Sequence, residues 1–443
     1  MSETLTDEPR RLQPVAATDR IETLDVLRGF ALFGILLVNI HAFYKPLVAA
    51  FDINAADLNS IEYAIEWMIG FFAQGKFYPL FSFLFGLGFA VQLTRAEARG
   101  APFLRVYIRR LLALLAIGVA HGTLVWAGDI LTMYAILGFV MLLLYLLKRG
   151  LERPFRRADG TPRRIPFWAV LLVAVIFTLP SLAMIPWMGQ LEQAQELQAA
   201  GQELTPQQQG MLEQMSAQMA FTGESAIREA AHAYGEGSWM DATEQRVRDF
   251  QFMLNSIPFW GWLVLAMFLI GAVFGRLNLI GRATEFGGLF RSLVILGLAV
   301  GVPMSAVFAT QNLHVNIMEP SLAASKAMAI NQYGGLLMAL MYVAGITLLM
   351  RTGVSRYLGV LAPVGRMALS NYLLQSIVST TIFYGYGFGL FGDIGSVAAL
   401  AYVLVFFALQ VPLSHWWLKR FRFGPAEWLW RSLTYGRFQP LRL

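Results

Sequence analysis

The chain contains no cysteine, and charged residues make up only 14% of its 443 positions, against about 25% in an ordinary soluble domain. The first absence excludes disulfide staples, thiolate zinc sites, thiol catalysis and iron–sulfur clusters. The second leaves too little charge to coat a globule of this length. Soluble catalytic signatures are missing as well. There is no Walker A loop, HExxH, GxSxG or DxDxDG calcium loop, which argues against ATP-driven transport and metalloprotease chemistry, and no metal site is read.

What is present is apolar sequence, 57% of the chain, clumped into runs of about 18 or more uncharged residues, the length a helix needs to cross a bilayer. Candidate spans fall near 26–44, 68–93, 107–126, 130–147, 165–186, 257–275, 291–309, 331–350, 366–386 and 396–418. The expected fold is therefore all-α, a polytopic membrane bundle of about ten transmembrane helices embedded in lipid. The net charge of +6 is an orientation signal and not a nucleic-acid footprint, because Lys and Arg sit in alternate short loops. That pattern puts both termini in the cytoplasm of a multi-pass inner-membrane protein.

Five regions follow: a disordered cytoplasmic tail (1–20), a five-span bundle (21–186), a helical periplasmic insertion (187–256), a second five-span bundle (257–420) and an amphipathic cytoplasmic tail (421–443). The insertion is rich in Gln, Ala and Glu, with a turn at Gly201 and a new helix start at Thr205-Pro206. It suits a cap over the outer mouth, a homodimer contact or a plain solvated insertion. In the second span, Gln74-Gly75-Lys76 and Pro79 predict a surface piece, a bend and a crossing helix ending at Gly86 and Gly88. Gly86 and Gly88 permit close helix packing, as Gly271 and Gly275 do in the sixth span. In the last tail, Pro425, Glu427, Trp428, Trp430 and Tyr435 predict a short helix anchored on the cytoplasmic surface.

Ionisable and amide groups inside hydrocarbon are costly, so each is a functional candidate or an interhelical bond. Arg28 and Asn39 are eleven residues apart, close to three helical turns and about 16 Å along one face. Asp25, one turn before Arg28, either orients its guanidinium toward phosphate or forms an edge ion pair. Arg110 and His121 repeat the spacing, and Asp129 follows across a tight turn, near enough to fix the imidazole tautomer. Asn371, Gln375 and Ser379 make a polar stripe. Lys76, at the expected bend, needs a partner such as Glu66 or Asp129.

Five segments carry a resemblance: "RIETLDVLRGFALFGILLVNI" (20–40), "GKFYPLFSFLFGLGFAVQL" (75–93), "HGTLVWAGDILTMYAILG" (121–138), "APVGRMALSNYLLQSI" (362–377) and "RFGPAEWLWRSLTYGRFQPLR" (422–442). Together they resemble the YeiB-like family of bacterial inner-membrane proteins, whose C-terminal half carries a domain of unknown function. More distantly, Leu24-Asp25-Val26-Leu27-Arg28-Gly29 and Asn39 are similar to the start of transmembrane acyltransferases such as the lysosomal heparan-glucosaminide acetyltransferase. That similarity implies transfer of an acyl group from cytoplasmic acyl-CoA or acetyl-CoA to an envelope acceptor, a glycan or another hydroxyl or amine. Asn39 matches the family's reaction-centre asparagine. The family's histidine lies farther down the following loop than His41 does, so His41 and His121 compete as the base.

The chemistry asks for guanidinium groups at the inner edge to receive a polyanion, as Arg28, Arg109, Arg110 and Arg366 can. It also asks for a base and a carbonyl-side donor. His121 or His41, oriented by Asp129, and Asn39 are the candidates. Lys76, Asn371 and Gln375 are candidates for a polar substrate path. The rival expectation is a transporter or lipid-binding membrane protein without covalent chemistry, though the two halves show no duplication that would favour it.

Overall fold

A computed structural model describes residues 21–53, 55–152, 166–317 and 320–443. The expected N-terminal tail and the basic loop from Arg153 to Arg164 lie outside the described residues. α1 (Glu22–Asn39) runs into a single turn, α2 (His41–Tyr44), and is followed by α3 (Ser60–Phe72), α4 (Phe77–Arg99), α5 (Phe103–Leu124) and α6 (Leu131–Glu152). Next come α7 (Phe167–Ile176), α8 (Pro180–Ala199), α9 (Pro206–Thr222) and α10 (Glu224–Gly235). The C-terminal part holds α11 (Trp239–Arg276), α12 (Gly287–Leu296), α13 (Val302–Gln311) and α14 (Leu322–Leu349). Two short pieces, α15 (Ser355–Leu358) and α16 (Ala362–Arg366), precede α17 (Ala368–Phe383), α18 (Ser396–Leu418) and α19 (Pro425–Tyr435). Among the described residues the only β contact is an isolated antiparallel bridge between Phe421 and Arg442.

Helices occupy all ten expected spans. Among the described residues seven stretches are long and apolar enough to cross a bilayer: Ser60–Arg99, Leu131–Arg149, Trp168–Ala199, Trp239–Arg276, Gly287–Gln311, Leu322–Leu349 and Ser396–Leu418. The molecule is thus a helical membrane protein. The helices at the other three expected spans, α1, α5 and α17, lie outside that set: α1 and α5 each carry charge in their first turns, and α17 has 16 residues.

Local sequence explains the breaks. α3 starts with a capping box in which Asn59 and Glu62 satisfy each other's backbone donors. It stops before Gly75, which takes φ +82° and has Asn331 Oδ1 only 2.4 Å from where a Cβ would be. The expected bend is therefore made at Gly75, and Pro79 sits harmlessly in the first turn of α4, where its missing N–H is no loss. The expected end at Gly86 and Gly88 is corrected: α4 runs on to a left-handed cap at Gly100. α12 and α13 join through a π turn, Gly297–Gly301, just before Pro303.

In the insertion, Gly201 adopts φ +68° and ends the turn after α8, and Thr205 and Gln208 cap α9 reciprocally. Met188, Leu191, Met211 and Met215 form a small cluster apart from the main core. Both ends of the expected 187–256 region fall inside continuous helices, α8 and α11, so the insertion grows out of the bundle's own helices.

Glycines set the closest packing. A Cβ on Gly86 of α4 would lie 2.0 Å from the Phe268 carbonyl oxygen of α11. In return, Cβ atoms on Gly271 and Gly275 would meet the carbonyls of Phe83 and Leu87 at 2.0 and 2.7 Å. Backbone against backbone is how membrane helices gain dispersion energy when lipid removes the hydrophobic drive. Gly29 and Gly365 bring α1 and α16 together in the same way, which carries Arg366 beside α1.

Candidate functional site

One cavity of about 320 Å³ lies among α1, α4, α5, α17 and α19. On α1, α4 and α5 its charge gathers toward one end. On α4, Arg95 and Arg99 stand near the C-terminus and Phe81 and Phe85 more than two turns earlier. On α1 and α5, Arg28 and Arg110 give way to Ile35 and Leu114. Arg366, Arg422 and Arg431 complete the charged mouth, where the only carboxylates among the described residues are Asp25 and Glu427. The inner part is apolar and ends against Ile130, Leu131, Tyr134 and Tyr372.

Both carboxylates at the mouth are engaged. Asp25 Oδ1 accepts from Arg28 at 2.8 Å, the pairing expected from their three-residue spacing. Glu427 reaches from α19 to the start of α17, where Oε1 accepts the backbone N–H groups of Leu369 at 2.6 Å and Ser370 at 3.1 Å and Oε2 accepts the Ser370 hydroxyl. Burial pushes the Glu427 carboxyl above its ordinary range, against the opposing pull of those hydrogen bonds. The Trp430 indole donates to the Arg110 carbonyl at 2.9 Å while the Arg110 guanidinium stacks 3.8 Å over the Trp430 ring. α19 is thus a wall of the cavity. The sequence places it only as a surface anchor, and Glu427, Arg422 and Arg431 were missed as site residues.

Behind the apolar end stands the expected imidazole–carboxylate pair. His121 Nδ1 is 2.8 Å from Asp129 Oδ1, both fully buried, and Asp129 Oδ2 accepts the Thr132 N–H at the start of α6 at 2.7 Å. Gly118 makes room for this pair, since a Cβ there would lie 2.6 Å from Thr132 N and 2.9 Å from Asp129 Oδ2. His121 Nε2 makes no hydrogen bond among the described residues. The Tyr372 ring, 5.2 Å from the imidazole, separates it from the cavity, and the Tyr372 hydroxyl is held by two 3.4 Å bonds, to the Gly128 carbonyl and from the Ile130 N–H.

A second pair was only half visible. His41 Nε2 lies 3.0 Å from both oxygens of Glu66, and the Ser396 hydroxyl donates to the same carboxylate, leaving His41 Nδ1 unbonded among the described residues. Glu66 was available as a signal, one of two carboxylates in the apolar stretch from Ile61 to Leu93 and the one not spent on capping α3. Trp126 stands between the two pairs: its indole donates to the Ala42 carbonyl at 3.1 Å, and its ring lies 6.4 Å from His121.

The remaining candidates are dispersed. Asn39 is half-buried at the end of α1, one turn beyond the cavity-lining Ile35. Arg109 does not line the cavity; its guanidinium points at Gly436. Asn371 bonds the Val364 carbonyl and Ser414, both at 3.0 Å, and Gln375 bonds Gln410 at 2.9 Å, so this stripe zips α17 to α18. The partner expected for Lys76 is corrected. Glu66 and Asp129 belong to the histidines, and the fully buried ammonium donates to the carbonyls of Gly70 at 2.8 Å and Gln74 at 2.7 Å, with Asn331 at 3.4 Å. A broken helix end supplies those carbonyls, which sequence spacing cannot register. Among the described residues no cluster of three or more His, Asp or Glu could hold a metal ion.

Comparison with known proteins places the chain among uncharacterized relatives. Residues 274–437 match the family described as "Protein of unknown function (DUF418)". The uncharacterized protein YxaH of Bacillus subtilis (strain 168) is 33% identical over 97% of this chain and 98% of its own length. The uncharacterized protein YeiB of Escherichia coli (strain K12) is 29% identical over 94% and 96%. An "Uncharacterized 39.9 kDa protein in amylase 3′ region" of Bacillus acidopullulyticus is 28% identical over 98% and 99%. No solved structure gives a significant match.

Proposed function

The chain belongs to the YeiB-like family of proteins of unknown function (DUF418), and from that premise and the cavity's chemistry we propose that it is a transmembrane acyltransferase. It would sit in the bacterial inner membrane, with the arginine-ringed mouth cytoplasmic and the insertion at 187–256 periplasmic. The observation that carries the reading is a cavity cationic at one end, apolar at the other, that terminates against the tyrosine packed on a buried His–Asp pair.

An acyl-CoA is a polyanionic head on an apolar arm, and the cavity has that polarity. Its 320 Å³ is near the low end of the roughly 300–1,000 Å³ of ligand pockets. The acyl-pantetheine arm fits within, and the nucleotide lies at the mouth among guanidinium groups suited to phosphate. In the reaction the acceptor X–OH (or X–NH₂) attacks the thioester carbonyl, the C–S bond breaks, and the products are the acylated acceptor and CoA–SH. His121 Nε2 takes the acceptor proton and returns it to the departing thiolate. Asp129, accepting Nδ1–H, fixes that tautomer and supports the imidazolium. Asn39 is the proposed donor to the carbonyl oxygen as charge develops on it. The Tyr372 barrier must turn aside for the base to reach the acyl group, and two 3.4 Å bonds are a weak restraint.

The test is transfer of a radiolabelled acetyl group from acetyl-CoA to envelope glycans and glycolipids by the purified protein in nanodiscs, with thiol release followed in parallel. His121→Ala is expected to lose at least 100-fold in rate. If His121→Ala and His41→Ala both retain the full rate, the assignment is wrong. Tight acetyl-CoA binding with no transfer to any acceptor would favour the rival, a transporter or binding protein.

A further inference from the structure

The cavity mouth is made by two parts of the chain that are far apart in sequence: the bundle, through Arg95, Arg99 and Arg110, and the C-terminal segment, through Arg422 and Arg431. Its second part is a built structure and not a loose tail. Arg422 N–H donates to the Leu441 carbonyl at 2.8 Å, beside the Phe421–Arg442 bridge, so the ends of the segment are tied to each other. Gly436 closes α19 with φ +65°, and the Trp428 indole donates to the Gln439 carbonyl at 2.7 Å, folding the last residues back onto the helix. Glu427 and Trp430 then bolt the folded unit to α17 and α5. A helix that merely floats on lipid would turn its carboxylate to water. Here Glu427 is 7% exposed and spent on the α17 backbone.

The charge arithmetic says what such a mouth receives. Among the described residues seven arginines line the cavity (28, 95, 99, 110, 366, 422 and 431) against two carboxylates (25 and 427), a formal excess of 7 − 2 = 5. A fatty acid brings one negative charge, and a phosphate monoester about 1.5 to 2. A ligand with a monoester and a diphosphate brings about four. We propose that the segment from Arg420 to Leu443 is the specificity half of this site, in which Arg422 and Arg431 hold the phosphates of a nucleotide-bearing thioester. The inference rests on the reading of the cavity as an acyl-CoA site. It adds that recognition of the nucleotide is divided between the bundle and the C-terminal segment, while the acyl-pantetheine arm is recognised by the bundle alone.

The full-length protein in nanodiscs is titrated calorimetrically with acetyl-CoA, with 3′-dephospho-acetyl-CoA and with S-acetylpantetheine, which lacks all nucleotide phosphates. In the double variant Arg422→Ala/Arg431→Ala, acetyl-CoA is expected to bind at least 10-fold more weakly and with a shallower salt dependence, whereas S-acetylpantetheine binds as it does to the wild type. The Arg422→Lys/Arg431→Lys variant keeps the charge but not the planar fork and should recover part of the loss. Hydrogen exchange in 420–443 should slow when acetyl-CoA is added to the wild type. If the wild type binds acetyl-CoA and both double variants match it, the division is overturned while the acyl-CoA reading stands. If S-acetylpantetheine binding falls in parallel in the alanine variant, the effect is a collapsed site and the inference is overturned. If the wild type binds none of the three probes, both readings fall.

Discussion

The packing of α4 on α11 permits a stringent test, because the two glycines of one helix turn, Gly86 and Gly88, have opposite surroundings. A methyl at position 86 would lie 2.0 Å from the Phe268 carbonyl oxygen, whereas a methyl at 88 has nothing within 4 Å. A carbon and a carbonyl oxygen settle at about 3.3 Å or more, so Gly86→Ala must drive the helices apart by about 1.3 Å. The obstacle is backbone, so no rotamer change relieves it. Overpacking of this kind costs about 1–3 kcal/mol, and at roughly 2 °C per kcal/mol for a large chain the melting temperature should fall about 2–6 °C. Gly88→Ala should melt with the wild type or slightly above it, since alanine restricts the unfolded chain. Its methyl instead enters the cavity wall, so its effect should appear in ligand affinity. Gly86→Ala/Gly271→Ala should cost less than the sum of its parts, since the first substitution already separates the helices. Intrinsic fluorescence melts in one detergent at one scan rate compare these variants. If Gly86→Ala melts within 1 °C of the wild type, or if Gly88→Ala falls as far, the close-contact reasoning is refuted.

Other perturbations test the polar interior. Asp129→Asn keeps the shape but reverses the tautomer preference of His121; acyl transfer should drop about 10²–10⁴-fold with little change in folded yield, and an undiminished rate would remove Asp129 from the mechanism. Lys76→Met strips the Gly70 and Gln74 carbonyls of their donor, and each orphaned group costs about 1–3 kcal/mol; an unchanged melting temperature would mean that water replaces the ammonium. Burial raises the Glu427 carboxyl, so its contribution to stability is full below the unfolded value of about 4.3 and is lost as pH rises through the folded value. Glu427→Gln, which still accepts from Leu369 and Ser370, should flatten that part of the pH–stability curve; a slope equal to the wild type's would assign it to other groups. Glu427→Ala should instead destabilise at every pH by about 1–3 kcal/mol, read as earlier release of 420–443 in limited proteolysis.

Individual residues show where sequence reading succeeds. Asp25 and Arg28, three apart on one helix, are an ion pair because helical geometry makes them neighbours whatever surrounds them. His121 and Asp129, eight residues apart, meet across the short turn between α5 and α6 for a similarly local reason. The spacing of Asn371, Gln375 and Ser379 indicates a shared face, but whether that face meets a substrate or Gln410, Ser414 and Tyr402 depends on which helix packs there. Lys76 and Glu66 are ten residues apart yet go to different partners, one to a helix end and the other to His41, because the break at Gly75 turns the chain between them.

By itself, then, the sequence determined the solvent. With 14% charge and apolar runs of helical length, the chain must be a bundle in lipid, and its backbone must satisfy itself within helices. It also determined the local pairs, whose partners lie within a few turns. Only the tertiary structure decided which polar groups converge. The cavity draws on α1, α4, α5, α17 and α19, and its C-terminal wall is held by contacts such as Glu427 to Leu369 and Trp430 to Arg110, 58 and 320 residues apart. Contacts at such separations follow from how helices pack, and no periodicity along the chain encodes them.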